Sequence, residues 1–292
     1  MNQLTALLKT MRPKQWVKNG FIFAALVFDV KFFDLTYLWH SVLGFVLFSL
    51  VSGVVYTMND LVDIEKDRAH PKKRYRPLPA GDLSPRVAQV AVVVIAVGAL
   101  LLAAWLSNGF ALILGGYLLL QIGYSFVLKN VVLLDVMTIA AGFVLRVAAG
   151  VPLVEAERFS PWLYICTTLL ALFLALGKRR GELVLLGEEA GNHRESLNHY
   201  TIPLLDQLIS LVTSSTIVAY ALYTFSAPNL PANHAMMLTI PFVIYGLFRY
   251  LYLVHAKGIT LAPDEVLLTD HPLQIDIVIW GVAAAGILYL GT

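Results

Sequence analysis

The sequence is short of charge. Asp, Glu, Lys and Arg make up 14% of its 292 residues, where soluble domains carry about 25%. So few ionised groups exclude a water-solvated globule of this size. Cysteine is nearly absent: Cys166 alone excludes an intrachain disulfide, and no Cys/His spacing suits zinc. The stretch Met1–Trp16 lacks an apolar core followed by small residues, so no cleaved signal peptide is expected. Polar linkers and low-complexity segments are missing too.

Apolar side chains fill the space instead. They are 58% of the chain, and the mean hydropathy is +0.73. A helix needs about 20 apolar residues to cross a bilayer. Nine stretches qualify, at 19–38, 40–58, 86–106, 109–128, 131–151, 161–177, 208–226, 236–254 and 273–290. Asp29 and Lys31 make the first the weakest. The expected fold class is all-α: one polytopic membrane domain over 1–292, with nine transmembrane helices.

Lys and Arg in short loops set orientation. With nine spans and a cytoplasmic N-terminus, inner segments hold 17 of the 21 basic residues and outer loops only Lys31 and Arg158. Arg146 and Arg249 lie inside spans. The chain is therefore expected in the cytoplasmic (inner) membrane of a bacterial-type cell, with its chemistry at the cytoplasmic face.

That chemistry is written after the second span. At about 100° per residue, Asn59, Asp60, Asp63 and Asp67 share one helix face, and Glu65 does not. Three carboxylates and an amide at a membrane edge repel one another unless a cation joins them. Mg²⁺ suits such oxygen donors and keeps positions for phosphate. The plain alternative is a solvated helix end. Five basic residues follow within seven, in His70-Pro71-Lys72-Lys73-Arg74-Tyr75-Arg76, then Pro77-Leu78-Pro79-Ala80-Gly81. Prolines restrict that loop. Acid followed by base is the pattern expected of a metal–diphosphate site, where Arg and Lys take the remaining charge.

Asn59-Asp60-x-x-Asp63-x-x-x-Asp67, followed by His70-Pro71-x-Lys73-x-x-Arg76-Pro77 and Gly81, resembles the first aspartate-rich motif of the UbiA superfamily of intramembrane prenyltransferases. The resemblance implies a helical bundle around a central cavity. It also implies a Mg²⁺-bound diphosphate at the cytoplasmic end, held by Asp60, Asp63, Asn59 and Asp67, and it allows a homotrimer.

The second aspartate motif usual after span six is missing. The chain reads Gly177-Lys178-Arg179-Arg180-Gly181-Glu182 there. Lys178, Arg179 and Glu182 share a helix face, and Arg180 points away. Cations in place of a metal motif suggest extra phosphate on the substrates; the alternative is a positive-inside cluster. With Arg12-Pro13-Lys14-Gln15-Trp16-Val17-Lys18-Asn19 and Leu134-Asp135-Val136 through Arg146, this run resembles one branch, the decaprenyl-phosphate phosphoribosyltransferases. That resemblance implies transfer of phosphoribose from phosphoribosyl diphosphate to a polyprenyl phosphate, releasing pyrophosphate, towards lipid-linked arabinose donors.

Further substrate-binding candidates are Lys14, Lys18, Asn19, Lys73, Arg76, Tyr124, Lys129, Lys178, Arg179, Glu182 and Arg249. Lys18 and Asn19 open span one; Tyr124 and Lys129 close span four. Snorkelling is the plain alternative for the lysines, and cation–π packing on Tyr245 and Tyr252 for Arg249. Arg146 is expected to be structural. Asp264 and Asp270 are expected to meet ribose hydroxyls or to cap helices, and His193, His199 and His255 to be ordinary loop residues. Two competing functions remain: an aromatic prenyltransferase of the same fold, and a polyprenyl-phosphate transporter or flippase, which three carboxylates at an anion's entrance disfavour.

Overall fold

The computed structural model describes residues 2–69, 73–156, 161–187, 194–227, 230–260 and 263–290. His70, Pro71, Lys72 and His193 lie outside them, as does the side chain of Asp264. Secondary structure among the described residues is helical. Among the described residues eight helices are long and apolar enough to cross a membrane, so this is a multi-pass α-helical membrane protein. Backbone packing groups the chain into two compact units.

The first unit comprises 1–26, 31–126 and 145–158. Its elements are α1 (Gln3–Thr10), a 3-10 segment (Pro13–Ile22), most of α2 (Phe23–Phe28), α3 (Leu35–Val62), α4 (Ile64–Ala69), α5 (Pro85–Leu106), α6 (Asn108–Phe126) and the end of α7 (Leu134–Gly150). The 28 residues of α3 rise about 42 Å, so the helix outruns the hydrocarbon and delivers Asp60 to one edge. Its small residues admit close neighbours. A Cβ on Gly44 would lie 2.3 Å from Leu153 and one on Gly53 2.6 Å from Met11. By contrast α5 leaves Val90, Val93, Val94, Val97, Leu101 and Trp105 exposed. An apolar outer face of that length is a lipid contact.

The expected first span, 19–38, is not one helix. Residues 13–22 form the 3-10 segment, α2 stops at Phe28, and Asp34 caps the next helix by accepting from the Thr36 and Tyr37 N–H groups. Asp29 and Lys31 interrupt the stretch where the sequence is polar. The segment nevertheless runs antiparallel beside α3. Met11 packs on Gly53, Asn19 bonds Ser49 and Ser52, Phe23 stacks near Phe45, and Leu26 shares a cluster with Tyr37 and Leu38. The other eight expected spans fall on helices. The second lengthens to 35–62, and the sixth runs on to Leu186 through the basic run. Only Ser107, in extended conformation, separates α5 from α6.

The second unit comprises 27–30, 127–144 and 159–292. It holds the start of α7, α8 (Pro161–Leu186), α9 (Ile202–Ser226), α10 (Ile240–His255), α11 (Pro263–Thr269) and α12 (His271–Leu290). Its core joins Phe173, Leu176, Leu205, Ile209, Tyr250 and Leu253.

Gly150, at the end of α7, tests the packing of the first unit. A Cβ there would lie 2.1 Å from the Ile22 carbonyl oxygen. Gly150→Ala should cost about 1–3 kcal/mol by overpacking and lower the melting temperature in detergent. Gly116→Ala on α6, where the Cβ meets nothing within 4 Å, should be neutral. Equal melting temperatures for the two variants would contradict that close approach.

Candidate active site

The acidic motif straddles a break. Helix α3 ends at Val62, Asp63 caps it, and α4 begins at Ile64. The Asp67 N–H still donates to the Asp63 carbonyl at 2.8 Å, so the turn spacing survives the break. Asp60 and Asp67 are each 2% exposed, and Asn59 and Asp63 are half-buried. Glu65 points outward and pairs with Arg68 at 2.7 Å, as its position off the shared face requires.

Two arginines bind the buried carboxylates. Asp60 Oδ1 accepts from Arg12 Nη2 at 2.6 Å and from Arg76 Nη1 at 3.1 Å. The same Arg76 nitrogen donates to Asp67 Oδ2 at 2.7 Å, and Lys73 Nζ lies 3.7 Å from Asp67 Oδ1. One guanidinium nitrogen thus bridges the two acids. Among the described residues no three His, Cys, Asp or Glu side chains converge closely enough to hold a metal ion. The expected set of three carboxylates is therefore not preassembled. The donors still fit Mg²⁺ chemically, since they are hard oxygens with two acids held around one positive group.

Local structure fixes both arginines. Arg12 adopts a left-handed conformation, φ 53°, which costs about 1–2 kcal/mol in a residue with a side chain. Pro13 follows it and starts the 3-10 segment. The guanidinium rests 4.8 Å over the Tyr56 ring, a cation–π contact that helps offset the cost. Arg76 enters a loop whose Pro77, Leu78 and Pro79 are buried. There Leu83 N–H donates to the Pro77 carbonyl at 3.0 Å and Gly81 takes φ +83°. Gln3 of α1 ties down the far side through Asp82 O and Ser84 N.

Deeper in this unit, Asn19 is 1% exposed. Its Nδ2 donates to Ser49 and Ser52, and its Oδ1 accepts from Arg146 Nε at 2.9 Å. Arg146 also donates to the Tyr117 hydroxyl at 2.8 Å and lies over the Phe48 and Tyr117 rings. Arg146 is structural, as expected. Asn19, expected as a phosphate ligand, has both ends of its amide engaged in this network. Lys14 is exposed, and Lys18 and Tyr124 are half-buried.

In the second unit the basic run is the last part of α8, and each arginine has an acid. Arg179 is 1% exposed, with Nε 3.0 Å from Asp135 Oδ2 and Nη1 on Glu182. Arg180 Nε meets Asp206 Oδ1 at 2.5 Å, and His255 Nε2 reaches the same oxygen at 3.2 Å. Lys178 and Lys129 are half-buried. Arg249 grips Asp270 with two nitrogens, at 3.2 and 2.9 Å, with Tyr252 beneath at 5.5 Å. Asp270 also caps α12 by accepting from Leu273 N–H. A lipid phosphate would have to displace Asp270 from Arg249 to make the expected contact. Arg12, Asp135, Asp206 and His255 escaped the sequence reading as partners of these charged groups. Asp206 and His255 lie 49 positions apart, and no local spacing announces such pairs.

A profile of the UbiA prenyltransferase family matches residues 20–262. The chain belongs to that family of transferases. Decaprenyl-phosphate phosphoribosyltransferase of Mycolicibacterium smegmatis is 33% identical, over 99% of this chain and 94% of its own. The Corynebacterium glutamicum protein of the same name is 32% identical, over 96% of this chain and 85% of its own. Among solved structures, a UbiA homologue from Archaeoglobus fulgidus bound to GPP and Mg²⁺ superposes with TM-score 0.74. It is 21% identical and covers 97% of this chain and 99% of its own. That likeness shows the UbiA fold.

The Arg249 hydrogen bond, helped by the Leu273 N–H, holds the Asp270 carboxyl below its ordinary value. A carboxyl lowered in the folded state stabilises above its unfolded pKa, about 3.9, and loses that contribution as pH falls further. The melting-temperature difference between wild type and Asp270→Asn should be constant above about pH 5 and shrink below it. A difference independent of pH would mean that the pair contributes only packing.

Proposed function

We propose that this transferase moves 5-phosphoribose from phosphoribosyl diphosphate to a polyprenyl phosphate, with Mg²⁺ and release of pyrophosphate. The product class is a precursor of lipid-linked arabinose donors. The observation that carries the reading is the pairing of Asp60 and Asp67 by Arg12 and Arg76, acids suited to a metal and cations suited to phosphate in one cluster. The branch is supported by the relatives' name over nearly the whole chain and by cations where prenyl-diphosphate users carry aspartate.

Asp60, Asp63, Asn59 and Asp67 would hold Mg²⁺, which supplies charge neutralisation for the departing diphosphate. Arg12, Arg76 and Lys73 then exchange carboxylate oxygens for phosphate oxygens, a swap that conserves charge-assisted hydrogen bonds. The bond from the anomeric carbon to the diphosphate oxygen breaks. A bond from the same carbon to the lipid phosphate oxygen forms on the opposite face, with inversion. A phosphate monoester is already anionic near neutral pH, so the chain need supply no strong base. Its contribution is positioning and charge.

We further propose a single polytopic domain in the cytoplasmic membrane, with the N-terminus and the acidic motif on the cytoplasmic side. The antiparallel run of residues 11–26 beside α3 supports a ninth crossing, made by short helices in place of one long one. A cysteine replacing Arg74 should react only with reagents on the cytoplasmic side. Labelling from outside would reverse the orientation.

The deciding experiment supplies the purified protein with polyprenyl phosphate, Mg²⁺ and either phosphoribosyl diphosphate or a prenyl diphosphate with an aromatic acceptor. Pyrophosphate release with the first donor alone is expected. Turnover with the second would instead assign an aromatic prenyltransferase, and no turnover with either would leave transport. Asp60→Ala should abolish the activity, while Glu65→Ala should leave it within about twofold, as for a surface change of under 0.5 kcal/mol.

A further inference from the structure

Arg179 is the largest fully buried side chain among the described residues. A guanidinium that deep must be paired inside the protein. Asp135, 0% exposed, is its anion and the junction of three chain segments. It stands at the start of α7, beside the end of α8 and the 3-10 turn Glu195–His199. Its carboxylate accepts from the Tyr200 hydroxyl at 2.7 Å and the Ser196 hydroxyl at 3.2 Å, and Arg194 Nη1 lies 3.8 Å away. The Tyr200 oxygen in turn accepts from Leu133 N–H at 2.9 Å. Burial and the bond to Asp135 keep the Tyr200 hydroxyl protonated well above the usual range, so it remains a donor. At its other end Arg179 donates to Glu182, whose side chain is 30% exposed.

A phosphate ligand must be reachable and free to change partners. Arg179 meets neither condition, with one nitrogen facing a fully buried carboxylate and another on Glu182. We infer that Arg179 is a positioning residue. Asp135 holds it in place, and it acts on the substrate only through the Glu182 carboxylate that it orients. Glu182 keeps an oxygen available for hydrogen-bond donors, and the hydroxyl groups of a sugar are the class it suits. The inference rests on the phosphoribosyl-transfer reading for that last contact. It corrects the expectation that Arg179 binds donor phosphate and leaves that role to its neighbour Lys178.

The test compares the full chain in detergent with Asp135→Asn, Arg179→Gln, Glu182→Gln and the double variant Asp135→Asn with Arg179→Gln. Misplacing a substrate contact costs up to about 10²-fold in rate, so each single variant should lower kcat by about 10- to 10²-fold. The double variant should be no worse than either single one, because partners in one buried pair are not additive. Tyr200→Phe, which deletes one bond to Asp135, should move the same way by less and serves if Asp135→Asn does not fold. A raised donor KM for Arg179→Gln, with Asp135→Asn unaffected, would make Arg179 a phosphate ligand and overturn the inference. Lowered melting temperatures with unchanged kcat and KM would also overturn it. A second measurement needs no turnover: peptide mapping after treatment with an arginine-selective dicarbonyl. Arg179 should be protected in the wild type and reactive in Asp135→Asn, and reaction in the wild type would refute its enclosure. Failure of wild-type turnover with phosphoribosyl diphosphate would instead refute the proposed reaction, with the reactivity map still deciding the state of Arg179.

Discussion

Charge in this molecule has to be neutralised by the molecule itself. An ionised side chain away from water loses several kcal/mol of hydration unless a partner replaces it. Among the described residues, five buried ionic groups have specific answers. Asp60 and Asp67 take Arg12 and Arg76; Asp135 takes Arg179; Arg146 takes an amide, a phenol and two ring faces. These pairings also do the work of assembly. Apolar contacts between helices gain little where lipid is equally apolar, so specific polar bonds and close packing of small residues select the arrangement. The Arg146 network shows both, tying the 3-10 segment to α3 and α6 at the level where Ser49 and Ser52 leave room.

The pairings divide into two kinds by what they leave accessible. Around Asp60 and Asp67 the acids are buried, but Arg12, Arg76 and Lys73 remain about a third or more exposed. Their cations can turn to an incoming anion without the chain unfolding. Around Asp135 both members are enclosed, and exchange would strand a charge. The first kind suits a site that must bind and release a multiply charged substrate. The second suits a fixed brace. Both kinds read alike in the sequence, as acid and base at membrane edges.

That likeness explains what was legible. The long apolar runs gave eight of the helices to within a few residues at most ends, because twenty apolar residues in a row have few alternatives. The acidic motif was legible because its spacing is local: Asn59, Asp60, Asp63 and Asp67 keep their turn even across the break at Asp63. Asn19 and Arg179, expected as phosphate ligands, have protein partners that were not legible, for the opposite reason. Their partners lie far along the chain, Arg146 being 127 residues from Asn19, and periodicity carries no information at that range. The first stretch was expected as one helix at 19–38, and the structure has a 3-10 segment and a short α2 there; a 3-10 rise is longer per residue than an α rise, so fewer and less regularly apolar residues cover a given distance.

The strained residue at the site follows from the same electrostatics. Arg12 could relax if its neighbours were different, since a left-handed backbone is costly for a residue with a Cβ. What holds it is a buried carboxylate that has few other routes to a positive charge, together with the Tyr56 face. Strain of this kind persists only where its surroundings over-determine it. Here the surroundings are a buried acid at the end of a long helix and a proline that starts the next segment. The cation brought to Asp60 comes from the far side of α3 in sequence, 48 residues earlier, so the antiparallel return of residues 11–26 along that helix is what makes the cluster geometrically available. In this chain the broken first segment and the acidic motif are one device: the first carries Arg12 to the edge at which the second presents its carboxylates.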